Sequence, residues 1–181
     1  MKILDFAFIT GKLKNIRRTG WVREKIPNPE SVAEHSFRVA ILSMILAPKI
    51  GADTTKAIKM SLIHDFGEAN IGDVVTNRGT LVLPNLQNKI KDERKSIVEI
   101  FSLIDGEEYV QLFDEFEENK TKTAQLVKQL DKLEMAIQAL EYEQQHKIDL
   151  EEFFNNADEK IIDKDLKEIM TRISNLREIK H

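Results

Sequence analysis

Apolar side chains recur at three- and four-residue spacing along most of this chain, the pattern of amphipathic helices. The clearest stripe lies in residues 121–146, with leucine or isoleucine at positions 126, 130, 133, 137 and 140. Further helices are predicted over residues 2–14, 29–46, 86–103, 107–119 and 163–178. One more begins at residue 53 or 54 and is broken or bent by Gly67 and Gly72. Residues 17–30 are expected to form a loop, 71–76 a turn, and 148–162 show no clear pattern.

Composition supports an all-α fold and narrows the function. Glycine and proline are scarce, at 7 and 4 of 181 residues, and the length suits one hydrophobic core, so we predict a single domain. Cysteine is absent, which excludes disulfides, cysteine-type zinc sites and a thiol nucleophile. A net charge of −4 argues against a nucleic-acid polymer as partner. No apolar stretch reaches membrane-spanning length, so we expect a soluble, cytoplasmic protein.

Polar residues interrupt three of the apolar helix faces. His35 lies at helical spacing from Val32 and Val39, and it is therefore expected to point into the interior. The other two faces carry a His-Asp pair and a single acid, namely His64 with Asp65, and Asp131. Three separate helices thus each offer a potential metal ligand near the expected core.

Each of these residues has a simpler interpretation when taken alone: a hydrogen-bonded core histidine, a solvated helix carboxylate, or a chance His-Asp pair. Burying all of them without partners would be costly, whereas a divalent cation pairs with two carboxylates and two neutral imidazoles. The mixed nitrogen and oxygen donors suit Mn²⁺, Fe²⁺, Co²⁺, Ni²⁺ or Zn²⁺ better than Ca²⁺. We therefore predict one metal site formed by His35, His64, Asp65 and Asp131. Mn²⁺ or Co²⁺ is the expected ion, with Fe²⁺, Ni²⁺, Zn²⁺ and Mg²⁺ as alternatives.

The order H…HD…D resembles the HD-domain superfamily of metal-dependent phosphohydrolases. Four longer segments extend the likeness to the HD-type 5′-deoxynucleotidases, which remove phosphate from deoxyribonucleoside 5′-monophosphates. These segments are RTGW at 18–21, ESVAEHSFRVA at 30–40, LIHDFGEANIGD at 62–73 and KQLDKLEMAIQALEYE at 128–143. The likeness covers residues 10–146, so it implies an HD-domain helical bundle over residues 1–181 with a C-terminal helical extension, 147–181.

The resemblance implies two catalytic carboxylates. Glu68 follows His64 by four residues and Asp65 by three, so on a continuous helix it would share their face. The family pattern makes Glu68 the residue that orients the attacking water or takes its proton. It makes Asp73 an acid on the substrate side, which contacts the sugar or protonates the leaving oxygen; a helix cap is its alternative.

Three further residues are implied to bind the substrate. Arg18 matches the phosphate-binding arginine of the family, although its neighbour Arg17 leaves surface charge as an alternative. Trp21 is implied to pack against the nucleoside, or else belongs to the core. Glu115 corresponds to a sugar-recognising glutamate if one gap is allowed in the match.

Other functions remain open at this point. Within the superfamily they are a phosphodiesterase or a triphosphohydrolase. The chain has only four histidines, which argues against a two-metal site. From other classes they are a catalytically inactive nucleotide-binding protein and a metal-dependent oxygenase. Apolar stripes in residues 86–119 and in the last helix predict a homodimer.

Overall fold

The computed structural model describes residues 2–73 and 86–178, and this part of the chain is helical without strands. The all-α prediction is therefore confirmed. Within that part the helices are α1 (Ile3–Lys12), α2 (Thr19–Arg23), α3 (Val32–Ile50), α4 (Thr54–Ile63), α5 (Glu68–Ile71), α6 (Leu86–Phe101), α7 (Glu107–Glu118), α8 (Lys122–His146), α9 (Glu151–Lys160) and α10 (Lys164–Glu178), with a 3₁₀ turn at Ser102–Ile104. No helix in those ranges is both long and apolar enough to span a bilayer. Residues 74–76 of the predicted turn lie outside the described residues.

The start of α3 is set by a capping box that the sequence prediction overlooked. The Ser31 hydroxyl accepts a hydrogen bond from the Glu34 amide at 3.2 Å. The Glu34 carboxylate in turn accepts one from the Ser31 amide at 2.6 Å. This reciprocal pair fixes the first turn, so the helix begins at Val32 and not near Pro29. Pro48 lies inside the last turn, and Gly51, with φ of 77°, follows the helix end.

Two short helices lie where the sequence predicted none, so the loop prediction for residues 17–30 is wrong in part. α2 lies inside the predicted loop 17–30, and α9 lies in the unassigned stretch 148–162. α9 buries Phe153, Phe154 and Ala157, which are too close in sequence to show a long helical repeat. The helix expected to run on from residue 54 ends at Ile63, and α5 follows as a separate turn.

The chain divides into two compact units, the first being residues 1–37 and 62–118. It contains an aromatic cluster in which neighbouring ring centroids are 5.0–5.7 Å apart. The cluster consists of Phe6, Phe66, Phe101 and Tyr109. α6 packs on α5 and α7, and α1 packs on α5 and α6. The predicted apolar face of residues 86–119 is thereby used inside this unit, since Ile97, Ile100 and Phe113 are buried.

The second unit contains residues 38–61 and 119–181, and α8 is its central helix. Thr121 caps α8 through a hydrogen bond from the Ala124 amide. The leucines of the predicted stripe are buried, and Ile137 is half-buried. α9 and α10 pack against α8. Arg38 donates to the buried carboxylate of Glu134 at 2.8 Å, which compensates the charge inside the unit. The single-domain assignment of residues 1–181 stays a prediction.

Candidate metal centre and catalytic site

Three predicted ligands converge in the first unit. His35 lies one turn into α3, and its amide donates to the carbonyl of the N-cap residue Ser31. His64 and Asp65 form the turn that directly follows α4. The Nε2 atoms of the two histidines are 3.3 Å apart. Asp65 Oδ2 lies 3.3 Å from His64 Nε2 and 3.8 Å from His35 Nε2.

This arrangement fits a divalent metal ion. Two ligand atoms bound in neighbouring positions at about 2.1 Å from one ion lie about 3 Å apart, close to the His–His distance. Both imidazoles are buried. Two neutral ring nitrogens and a carboxylate oxygen are the donor set that first-row transition metals accept. The described residues thus include groups able to hold an ion.

Asp131, the fourth predicted ligand, belongs to the second unit. It lies on α8, one residue beyond the buried Leu130, and its Oδ2 is 2.9 Å from Lys132 Nζ. Its side chain is largely buried. Ligation by Asp131 stays a prediction.

Glu68 is the most deeply buried carboxylate of the first unit's site. It opens α5 and is only 1 % exposed, and its Oε2 has no hydrogen-bond partner among the described residues. Burial, with the neighbouring charges of Asp65 and Asp73, raises the pKa of Glu68 to about 11. Glu68 does not share a continuous helix with His64, because α4 ends before it. The intervening turn nonetheless brings its charge within reach of Asp65.

Arg18 and Asp73 tie the start of α2 to this site. Arg18 Nη1 lies 2.8 Å from Asp65 Oδ2, which places a guanidinium beside a predicted metal ligand. The Thr19 amide donates a short hydrogen bond to Asp73 Oδ2, and the Thr19 hydroxyl donates to the Asp73 carbonyl at 2.7 Å. The Asp73 carboxylate thus accepts a hydrogen bond from the first residue of α2, across 54 residues of sequence. Roles in substrate binding and catalysis stay predictions for both residues.

Trp21 is a core residue in this structure. It is 2 % exposed, and its indole Nε1 donates to Glu30 Oε1 at 2.8 Å. A Glu30 oxygen lies within 4.8 Å of a ring nitrogen of His35. Of the two roles considered for Trp21, packing is the one that this geometry describes, and stacking on a nucleoside stays a prediction. Trp21 supports the site through Glu30, which the sequence reasoning did not select.

α7 lines the site from another side. The Phe116 ring meets the His64 ring edge-on, with centroids 5.5 Å apart. Glu115 precedes Phe116 and is half-buried. Its predicted contact with the sugar stays a prediction.

Sequence reasoning also missed Lys89 and Glu93 on α6. Lys89 Nζ lies 3.2 Å from Glu93 Oε1, and the charge of Asp65 acts on both residues. Their spacing of four residues is common on helix surfaces, so nothing in the sequence distinguishes this pair from others. Only the packing of α6 on the turn 64–68 brings them to the site.

The fold and the histidine–carboxylate cluster define the class of protein. The family model described as HD domain matches residues 10–172, and the chain belongs to this family. The match extends into the segment 147–172, where the sequence showed no usable motif.

Curated relatives and solved structures agree with this assignment. The 5′-deoxynucleotidase HDDC2 of Dictyostelium discoideum is 40 % identical over 169 residues, covering 85 % of this chain and 87 % of the relative. The human 5′-deoxynucleotidase HDDC2 is 32 % identical over 161 residues, covering 86 % and 76 %. A solved structure of a conserved hypothetical protein from Pyrococcus furiosus is 37 % identical, with a TM-score of 0.76 and coverage of 95 % and 99 %.

Proposed function

We propose that this chain is a metal-dependent 5′-deoxynucleotidase, which hydrolyses deoxyribonucleoside 5′-monophosphates to the nucleoside and phosphate. The observation that carries the proposal is the convergence of His35 Nε2, His64 Nε2 and Asp65 Oδ2 within 3.8 Å. Relatives named 5′-deoxynucleotidases, which match most of the chain, support the substrate class.

Asp131 is proposed as the fourth ligand, so that two imidazoles and two carboxylates bind one ion. With four protein ligands, the ion would still have room for water and substrate, as catalysis requires. We propose Mn²⁺ or Co²⁺ as the ion, since both accept mixed nitrogen and oxygen donors; Fe²⁺, Ni²⁺, Zn²⁺ and Mg²⁺ are alternatives to be compared.

The reaction breaks the bond between phosphorus and the 5′ oxygen while a water oxygen bonds to phosphorus. A bound divalent ion would lower the pKa of water and neutralise phosphoryl charge. Glu68 accepts the proton of the attacking water at Oε2, the oxygen with no hydrogen-bond partner in the described part of the chain. Arg18 binds two phosphoryl oxygens through its guanidinium. Asp73 contacts the sugar or returns a proton to the 5′ oxygen. Trp21 packs against the nucleoside, and Glu115 contacts the sugar.

Phosphate release from a panel of 5′- and 3′-nucleotides tests the proposal. The purified protein, loaded with Mn²⁺, Co²⁺ or Mg²⁺, should act on deoxynucleoside 5′-monophosphates and not on 3′-monophosphates. No release from any deoxynucleotide with metal bound would defeat it. Preference for cyclic nucleotides or triphosphates would support the phosphodiesterase or triphosphohydrolase alternatives.

Two substitutions separate the roles of the carboxylates. Glu68→Ala should leave the metal content nearly intact and slow turnover by about 100-fold or more, since it removes the proton acceptor. Asp65→Ala should reduce both metal content and turnover. Full activity of Glu68→Ala would show that its assigned role is wrong.

We also propose a homodimer. The apolar face once expected at residues 86–119 is buried within the first unit, and Leu176 is the exposed apolar residue of α10. α3 instead exposes Ile41, Met44 and Ile45 on one face, and a second copy would bury them. Light scattering after size exclusion should give twice the chain mass, and Ile45→Glu should shift it to the monomer. A monomeric wild type would overturn the proposal.

A cytoplasmic location is proposed as well, because a chain without cysteine gains nothing from an oxidising compartment. Fractionation of the native cells would test it; recovery outside the cytoplasmic fraction would contradict it.

A further inference from the structure

Helix α6 lies unusually close to the turn that carries the site. A side chain at Gly67 would place its Cβ 2.9 Å from the backbone oxygen of Glu93, so only glycine permits this approach. The Ser96 hydroxyl donates to the Gly67 carbonyl at 2.7 Å and holds the two segments together. Side chains on this face of α6 therefore lie beside Asp65 and Glu68.

The ion pair between Lys89 and Glu93 occupies this face. The Nζ–Oε1 distance is 3.2 Å, and the two side chains are only 22 % and 14 % exposed. The same helix carries a second lysine–glutamate pair at the same spacing, Lys95 and Glu99, which are 77 % and 58 % exposed and 3.9 Å apart. The outer pair is ordinary helix surface, whereas withdrawing the inner pair from water carries a desolvation cost.

Lys89 keeps its charge in these surroundings. Burial acts to lower the pKa of Lys89, but the charges of Glu93, Asp65 and Glu68 together raise it above its ordinary value. The ammonium group of Lys89 thus lies on the face of α6 that packs against the turn 64–68, where Glu93 and Ser96 contact Gly67. An ammonium has three N–H donors, so it can keep Glu93 as a partner and still bind another anion.

A phosphate monoester dianion needs such a cation. Asp65 and Asp73 repel it, and Arg18 already pairs with Asp65. We propose that Lys89 is a second phosphate-binding residue, which is held in position by Glu93 and contacts the phosphoryl oxygens together with Arg18. This inference rests on the proposed function and extends it to a residue of α6.

Calorimetric titration of inorganic phosphate into the Mn²⁺-loaded protein tests the inference without turnover. Lys89→Met removes the charge and keeps most of the side chain's volume, so it should weaken phosphate binding about tenfold or more. KM for a deoxynucleoside 5′-monophosphate should rise in parallel. Lys89→Arg should restore most of the affinity, and the matched control Lys95→Met should behave like the wild type.

The outcomes separate this inference from the proposed function. Wild-type protein that binds phosphate but hydrolyses no deoxynucleotide would defeat the proposed function, while the Kd comparison would still decide the role of Lys89. A folded Lys89→Met variant with phosphate Kd and KM within about twofold of wild type overturns the inference, as does a wild type that binds no phosphate. If Lys89→Met does not fold, Lys89→Gln takes its place under the same criteria.

Discussion

At the scale of single residues, Glu68 is a proposed proton acceptor whose surroundings control whether it is ionised. Its carboxylate is buried, one oxygen has no partner among the described residues, and neighbouring acids disfavour its ionised form. In the metal-free protein the raised pKa keeps Glu68 protonated at neutral pH. A divalent ion nearby would favour the carboxylate form, which is the form that accepts a proton from water.

The pH dependence of stability should report this residue. Between the unfolded pKa near 4.5 and the folded pKa of about 11, the folded state holds one more proton than the unfolded state. The free energy of unfolding of the metal-free protein should therefore fall as pH rises, by up to about 1.4 kcal/mol per pH unit from Glu68. Denaturant melts from pH 5 to 9 measure the slope of the unfolding free energy against pH for wild type and Glu68→Gln. Identical slopes would contradict the assignment.

Arg18 and its neighbour form a natural pair of test and control. Arg18 lies 2.8 Å from Asp65, whereas Arg17 is about half exposed and donates to the Pro29 carbonyl. Arg18→Ala should raise KM for the nucleotide about tenfold or more, because a bidentate phosphate contact is lost. Arg17→Ala should change KM by less than about twofold. Steady-state kinetics at saturating metal measure both, and equal effects would refute the assignment of Arg18.

At the scale of elements, the sequence predicted the helices with a repeating apolar pattern. It missed the short helices that depend on tertiary contacts. The stripe of α8 is long and periodic, so its limits were predicted within one residue. α2 has five residues, too few for a pattern, and it is held by Asp73 from 54 residues away. The capping box at Ser31 and Glu34 was visible in the sequence as S-x-x-E and would have corrected the start of α3.

The site residues were likewise predicted where the local pattern was informative and missed where tertiary contacts decide. His35 was recognised as inward-facing because its neighbours on the helix are apolar, and it is fully buried. Glu30 and Lys89 carried no such signal, because their importance arises from contacts across many residues of sequence. Trp21, nine residues before Glu30, donates a hydrogen bond to it, and Lys89 lies on the helix whose residue Glu93 packs against Gly67.

Gly67 offers a direct test of that packing. Gly67→Ala would press a methyl group against the backbone of Glu93 and should lower the free energy of unfolding by about 1–3 kcal/mol. Gly11→Ala is the matched control, since nothing lies within 4 Å of its added Cβ and alanine favours helix by up to about 1 kcal/mol. Urea melts should show opposite signs for the two variants; a neutral Gly67→Ala would contradict the close approach.

At the scale of the whole molecule, metal binding should be visible as stability. An ion that binds only the folded chain adds about 2.7 kcal/mol when its concentration is 100 times its Kd. The Tm of the protein should therefore rise with increasing Mn²⁺ concentration, and a chelator should reverse the rise. His64→Ala should abolish the response. Asp131→Ala should weaken it if this residue is the fourth ligand, and an unchanged response would remove Asp131 from the ligand set.

The single tryptophan of the chain makes this binding measurable by light. Trp21 is sealed from water and hydrogen-bonded to Glu30, which in turn approaches the His35 ring. An open-shell ion such as Co²⁺ held at His35 would quench the emission of this one fluorophore by energy transfer, whereas closed-shell Zn²⁺ would not. The protein thus carries an intrinsic optical probe of occupancy, with no label required.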